Sequence, residues 1–119
     1  IDIDSLKVIN DTYGHDEGDY TIKSIAQVIL HSIRSSDVVC RYGGDEFFII
    51  FKNCMENTAE KIITRMYGEL KKLESTASKP YEMSFSHGIL SFNSESGYTT
   101  SNLLQEADRR MYACKKSKR

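Results

Sequence analysis

Two adjacent acids, Asp45 and Glu46, follow two adjacent glycines, Gly43 and Gly44, and precede four apolar residues, 47–50. A further acid, Asp2, lies in the opening "IDID". Carboxylates gathered at one spot repel one another and stay partly protonated unless a cation joins them. A hard dication removes that cost, because magnesium takes oxygen ligands from one or two carboxylates and completes its shell with water and substrate phosphates. A pair of such ions clamps the attacking and leaving oxygens of phosphoryl transfer. If Asp2, Asp45 and Glu46 meet, the chemistry expected of them is metal-dependent nucleotidyl transfer. The alternative reading of Asp45 and Glu46 is a solvated turn. Against it stands the double glycine, which lets a ligand approach the backbone closely.

The surrounding elements decide whether those acids can meet. "IDID" reads as the tail of a first strand, and "SLKVINDTYG" as a short helical or turn segment. Ile22, Ile25, Ala26, Ile29 and Ile33 recur at helical spacing, with Gly18 and Asp19 where an N-cap belongs. "DVVCRY" and "EFFIIF" read as strands joined by a two-residue turn at Gly43-Gly44 or Gly44-Asp45, where glycine would supply positive φ. A second long helix has Asn57 as its expected cap, Glu60 three residues on, and an apolar face of Ala59, Ile62, Ile63, Met66, Tyr67, Leu70 and Leu73. "YEMSFSHGILSF" alternates as a strand does, with Met83, Phe85, His87 and Ile89 on one side. A last helix from about Ser101 is expected to bury Leu103, Leu104, Ala107, Met111 and Cys114 before the basic "KKSKR". The order is β-α-β-β-α-β plus a terminal helix, a ferredoxin-like α/β (α+β) plan with a central antiparallel sheet. In that plan the first strand and the hairpin lie together, so Asp2 comes close to Asp45 and Glu46.

Composition narrows the alternatives. The 119 residues suit one domain. A net charge of −1 gives no electrostatic footprint for nucleic acid. The aromatic strand pair of a ferredoxin-like RNA-binding module is also missing, so no nucleic-acid partner is expected. No apolar run is long enough to span a membrane, and no signal peptide is evident, which points to a cytoplasmic location, with the parent protein free to be membrane-anchored. Three widely spaced cysteines with no CxxC read as reduced thiols. His31 is expected on a helix surface, His15 in a turn-stabilising role, and His87 as a satisfied core or interface histidine.

"RYGGDEF" resembles the signature of the GGDEF family, the diguanylate cyclase domains of bacterial signalling. "DIDSLKVINDTYGHDEGD" is similar to the family's opening segment, DxDxFKxxNDxxGHxxGD, with Leu6 where phenylalanine is usual. "ADRRMYACKKSKR" is similar to its closing helix, ADxAMYxAKxxGRN, with Lys118 where glycine is usual. The resemblance covers residues 1–119 as one domain, apart from the family's first helix and the start of its first strand. It implies a cyclase that condenses two GTP into cyclic di-GMP and two pyrophosphates across a homodimer. Mg2+ (or Mn2+), two ions per active site, would be held by Asp2, the Ile3 carbonyl, Asp45 and Glu46. Asp45 or Glu46 would also assist deprotonation of the attacking 3′-hydroxyl, the sequence leaving open which. Asn10 and Asp19 would read the guanine edge, a carboxylate suiting the N1–H and N2–H₂ donors, and Asp19 favours strict use of GTP. Backbone amides near Ser5 and Leu6 would cradle phosphates, Gly43 and Gly44 would let the nucleotide approach, and Lys115 and Arg119 would clamp the terminal phosphates.

"RSSD", Arg34 to Asp37, ends five residues before the glycine pair. At that offset it is similar to the family's product-inhibition motif, RxxD. The resemblance implies that Arg34 and Asp37, with Arg65 as a further contributor, bind cyclic di-GMP as an inhibitor, arginine pairing a guanine edge and a phosphate in fork geometry. An upstream sensor domain is the partner expected in the full-length protein. The alternative function is a non-catalytic GTP or cyclic di-GMP receptor domain that regulates an attached module.

Overall fold

The computed structural model describes residues 1–118. Four short strands and four helices follow in the order β1 (Asp2–Ile3), α1 (Leu6–Tyr13), α2 (His15–Ser32), β2 (Val38–Arg41), β3 (Phe47–Ile50), α3 (Glu56–Ala77), β4 (Phe85–Ser86) and α4 (Thr100–Ser117). β1 pairs antiparallel with β4, Ile3 opposite Phe85, and β2 pairs antiparallel with β3, Arg41 opposite Phe47. An antiparallel bridge between Asp2 and Glu46 joins the two pairs. Two backbone bonds support it, Ile3 N to Asp45 O at 2.8 Å and Phe47 N to Ile1 O at 2.9 Å. The strands therefore run β2-β3-β1-β4, which is the expected ferredoxin-like plan.

Side-chain alternation along β1 divides the chemistry from the core. Ile3 points inward with its partner Phe85, and both are fully buried. They pack with Ile25, Val28 and Ile29 of α2 and Ile62, Ile63, Met66 and Leu70 of α3. Asp2 and Asp4 take the opposite face, where Asp4 meets Ser84 and Ser86.

Several local expectations are corrected. α2 begins at His15, not at Gly18-Asp19, because Gly14 at φ 97° ends α1 and opens α2. Asp16 and Glu17 then complement the positive end of α2. Gly18 sits inside the helix for a steric reason: a Cβ there would lie 1.7 Å from Asn10 Oδ1. α3 starts at Glu56 after Met55, so Asn57 is not its cap. The hairpin loop holds three residues, 43–45, because Tyr42 N bonds Glu46 O at 2.9 Å. Neither Gly43 nor Gly44 has positive φ, so the expected two-residue turn is absent. The 81–92 strand shrinks to Phe85–Ser86, though Met83 and Phe85 are buried as its alternation requires. α4 buries Met111 but leaves Leu104 exposed at 38%. Its start is fixed by a capping box in which Thr99 and Asn102 bond each other's backbone.

Candidate active site

The β1–β3 bridge sets Asp2 directly opposite Glu46. Opposed residues on antiparallel strands hold their Cβ atoms about 5 Å apart, so the two carboxylates leave the sheet together. Asp45 precedes Glu46, and its charge acts on both. Burial pushes the Asp2 carboxyl above its ordinary range, opposed by the Lys115 hydrogen bond and reinforced by Asp45. Burial raises Glu46 too, followed by the charges of Asp2 and Asp45. The three acids expected to meet are thus brought together, and they repel as like charges must.

Lys115 answers part of that charge. Its Nζ lies 2.8 Å from Asp2 Oδ2 and 4.0 Å from Asp4 Oδ1. Burial pulls the Lys115 ammonium down, but the hydrogen bond and charge of Asp2 outweigh it and the net shift is upward. The other oxygen of Asp2, Oδ1, is buried and has no hydrogen-bond partner. Among the described residues no three His, Cys, Asp or Glu side chains are grouped so as to hold an ion as they stand. The donor set nevertheless fits a hard cation: it is all oxygen, bears excess negative charge, and includes a buried acceptor lacking a donor.

The expected nucleotide-reading residues sit beside this cluster's strand. Ser5 adopts a left-handed conformation at φ 57° and caps α1, so the backbone amides of Leu6 and its neighbours open the first turn. The Leu6 side chain is buried. Asn10 lies against Gly18 of α2, and Asp19, the next residue of that helix, is exposed. Gly43 and Gly44 face open space, as a close-approach role needs. Arg119 lies outside the described residues.

Away from this cluster, Arg34 closes on Asp37. Its guanidinium donates to both carboxylate oxygens, at 3.1 and 2.9 Å, and to Lys52 O at 2.7 Å. That pairing holds Asp37 below the usual carboxylate range. Arg65 donates to Ser32 O at 2.5 Å, which places it at the same end of α2 as Arg34.

Sequence reasoning missed Asp4, Ser84 and Ser86. Asp4 accepts from Ser84 Oγ at 2.9 Å, Ser86 Oγ at 2.8 Å and Lys118 Nζ at 2.9 Å. Burial pushes Asp4 up, but Lys118 and the two serines outweigh it and the net shift is downward. The period-two pattern of "IDID" was the available signal, since it sets Asp2 and Asp4 on one face. Arg41 was missed as well; it donates to Gly44 O at 2.9 Å and braces the loop that carries Asp45. Lys118, where glycine is usual, caps α4 in the right-handed region at φ −90°. His87 is satisfied as expected, 2.8 Å from the Tyr67 hydroxyl and 3.8 Å from Glu60. The three cysteines are free, and His31 is exposed. No described helix is long and apolar enough to cross a membrane.

Residues 1–119 match the family model described as "Diguanylate cyclase, GGDEF domain". The chain is 40% identical over 120 residues to diguanylate cyclase DosC of Escherichia coli, covering 98% of this chain and 25% of that protein. It is 32% identical to diguanylate cyclase A of Treponema denticola, covering 100% of this chain and 32% of that protein. The chain thus spans about a quarter to a third of the length of these relatives. Among solved structures it resembles the GGDEF domain of DgcB from Caulobacter crescentus in complex with c-di-GMP. The TM-score is 0.87 and the identity 29%, with coverage of 99% of this chain and 70% of that one. It also resembles diguanylate cyclase SiaD in complex with its activator SiaC from Pseudomonas aeruginosa. There the TM-score is 0.81 and the identity 28%, with coverage of 98% and 44%.

Proposed function

The chain belongs to the GGDEF domain family, and from that premise we propose that it is the diguanylate cyclase domain of a longer signalling protein. The observation that carries this reading is the bridge that sets Asp2 opposite Glu46, with Asp45 beside them and the glycine pair open to a ligand. Two GTP molecules, one on each subunit of an antiparallel homodimer, condense to cyclic di-GMP. In each half a 3′-oxygen bonds to the α-phosphorus of the other GTP, its proton passes to Asp45 or Glu46, and the α–β phosphoanhydride bond breaks to release pyrophosphate.

Asp2, the Ile3 carbonyl, Asp45 and Glu46 would hold Mg2+ or Mn2+, two ions per site. When bound, these dications neutralise the converging carboxylates and polarise the transferred phosphate. Asn10 and Asp19 read guanine, the first-turn amides of α1 hold phosphate oxygens, and Lys115 leaves Asp2 for the terminal phosphates, with Arg119 as its partner. Arg34, Asp37 and Arg65 form the product-inhibition site. Cyclic di-GMP competes there with the present closure of Arg34 on Asp37. The reaction and its substrate suit the cytoplasm, and an upstream sensor domain supplies control.

The test is stoichiometry. The intact protein with GTP and magnesium is expected to release two pyrophosphates per cyclic di-GMP, and added product should slow turnover unless Arg34 is replaced by alanine. GTP bound by a dimer without turnover would overturn the enzyme reading in favour of a receptor domain.

A further inference from the structure

Lys115 stands between two carboxylates that compete for it. It is 2.8 Å from Asp2 and 4.0 Å from Asp4, and the two side chains are only 12% and 16% exposed. Two half-buried anions sharing one ammonium would hold it centrally and firmly, and a lysine so held is poorly placed to leave for a phosphate. The chain solves this with a second cation. Lys118, the residue that caps α4 three positions after Lys115, puts its Nζ 2.9 Å from Asp4 Oδ2 and 3.3 Å from Ser84 Oγ. The same ammonium meets the carbonyl of Phe85 and lies 5.2 Å from the centroid of the Tyr67 ring. The Phe85 carbonyl, turned away from β1 by the β1–β4 register, accepts from the Tyr67 hydroxyl at 2.9 Å as well as from Lys118. Glycine, usual at this position in the family that the sequence resembles, could supply none of these contacts.

We propose that Lys118 is a positioning residue that neutralises Asp4 and so leaves Lys115 free to exchange between Asp2 and the nucleotide's terminal phosphates. The proposal rests on the reading of Lys115 as a phosphate-binding residue. Asp4, Ser84, Ser86 and Lys118 form a closed polar knot beside the site, each bonded within it. Without Lys118, the nearest remaining ammonium to Asp4 is Lys115, and a shift toward Asp4 withdraws it from the nucleotide.

The test uses the intact protein and a non-hydrolysable GTP analogue, with affinity as the readout and turnover measured in parallel. Lys115→Met is measured first. If affinity is unchanged, Lys115 does not bind phosphate, and both the phosphate clamp and this proposal fall. If Lys115→Met weakens binding, Lys118→Met is expected to raise Kd roughly fivefold, as partial loss of a charge-assisted contact would, with the effect on KM and little on kcat. Lys118→Arg, which keeps the cation, should stay near the wild-type value. The decisive variant is Asp4→Asn combined with Lys118→Met: with the competing anion removed, affinity should return despite lower thermal stability. Unchanged Kd in Lys118→Met, or no recovery in the double variant, would overturn the proposal and leave Lys118 a structural strap.

Discussion

At the scale of single residues, the site is a set of charges held against their preference. Asp2 and Glu46 lie opposite each other across antiparallel strands, and like charges so placed are destabilising. Their pKa values are raised, so folding favours their protonated forms, and each ionised carboxylate lowers stability once the pH exceeds its ordinary range. Glu46→Gln should therefore stabilise the metal-free protein at pH 7 by about 0.5 kcal/mol, the scale of a cross-strand charge pair. The gain should vanish below about pH 4, where glutamate is protonated in both states, and thermal melts across that range check it. Asp4 has the opposite sign. Its folded pKa is depressed, so its stabilisation is present above the unfolded value and is lost as pH falls through the folded one. Asp4→Asn should cost about 1–2 kcal/mol at pH 7, on the scale of hydrogen bonds to charged groups, and progressively less under acid. Asp45 and Glu46 were legible in the sequence because glycines and acids in an unbroken run are local. Asp4 was not, because its significance comes from two serines 80 and 82 residues away.

At the scale of elements, α1 and α2 pack as one unit. Gly14 turns the chain between them and Gly18 makes room for the Asn10 side chain. Gly18→Ala should displace Asn10 and raise KM for GTP about tenfold, equivalent to about 1.4 kcal/mol of lost contact. Circular dichroism should show little change, since alanine favours the helix more than glycine does. The sequence misplaced the start of α2 because glycine is ordinarily a helix breaker, and the packing that reverses this belongs to α1. At α4 the capping box in "TTSN" went unread and the buried face was overestimated. Periodicity marks an amphipathic helix but not how much of its stripe the neighbours cover, and only Met111 is buried. Thr99→Ala should cost about 1 kcal/mol by removing that cap, checked by denaturant unfolding.

At the scale of the whole molecule, the ferredoxin-like plan was legible because element order restricts the possible topologies severely. Strand lengths were not, since β1 and β4 hold two residues each and depend on neighbours for their definition. The plan itself brings residues 2 and 46 into register, which neither segment encodes alone. On the proposed mechanism one domain presents one GTP, so a dimer must form before a product can. Specific activity should therefore fall on dilution below the dimer's dissociation constant, and a forced monomer should bind GTP without turning it over. The central claim is that the bridged carboxylates perform nucleotidyl transfer. Its most direct measurement compares the intact protein with its Glu46→Gln variant, each incubated with GTP and magnesium and analysed by product mass. The account predicts cyclic di-GMP from the wild type and none from a variant that still folds and dimerises; comparable product from both would contradict it.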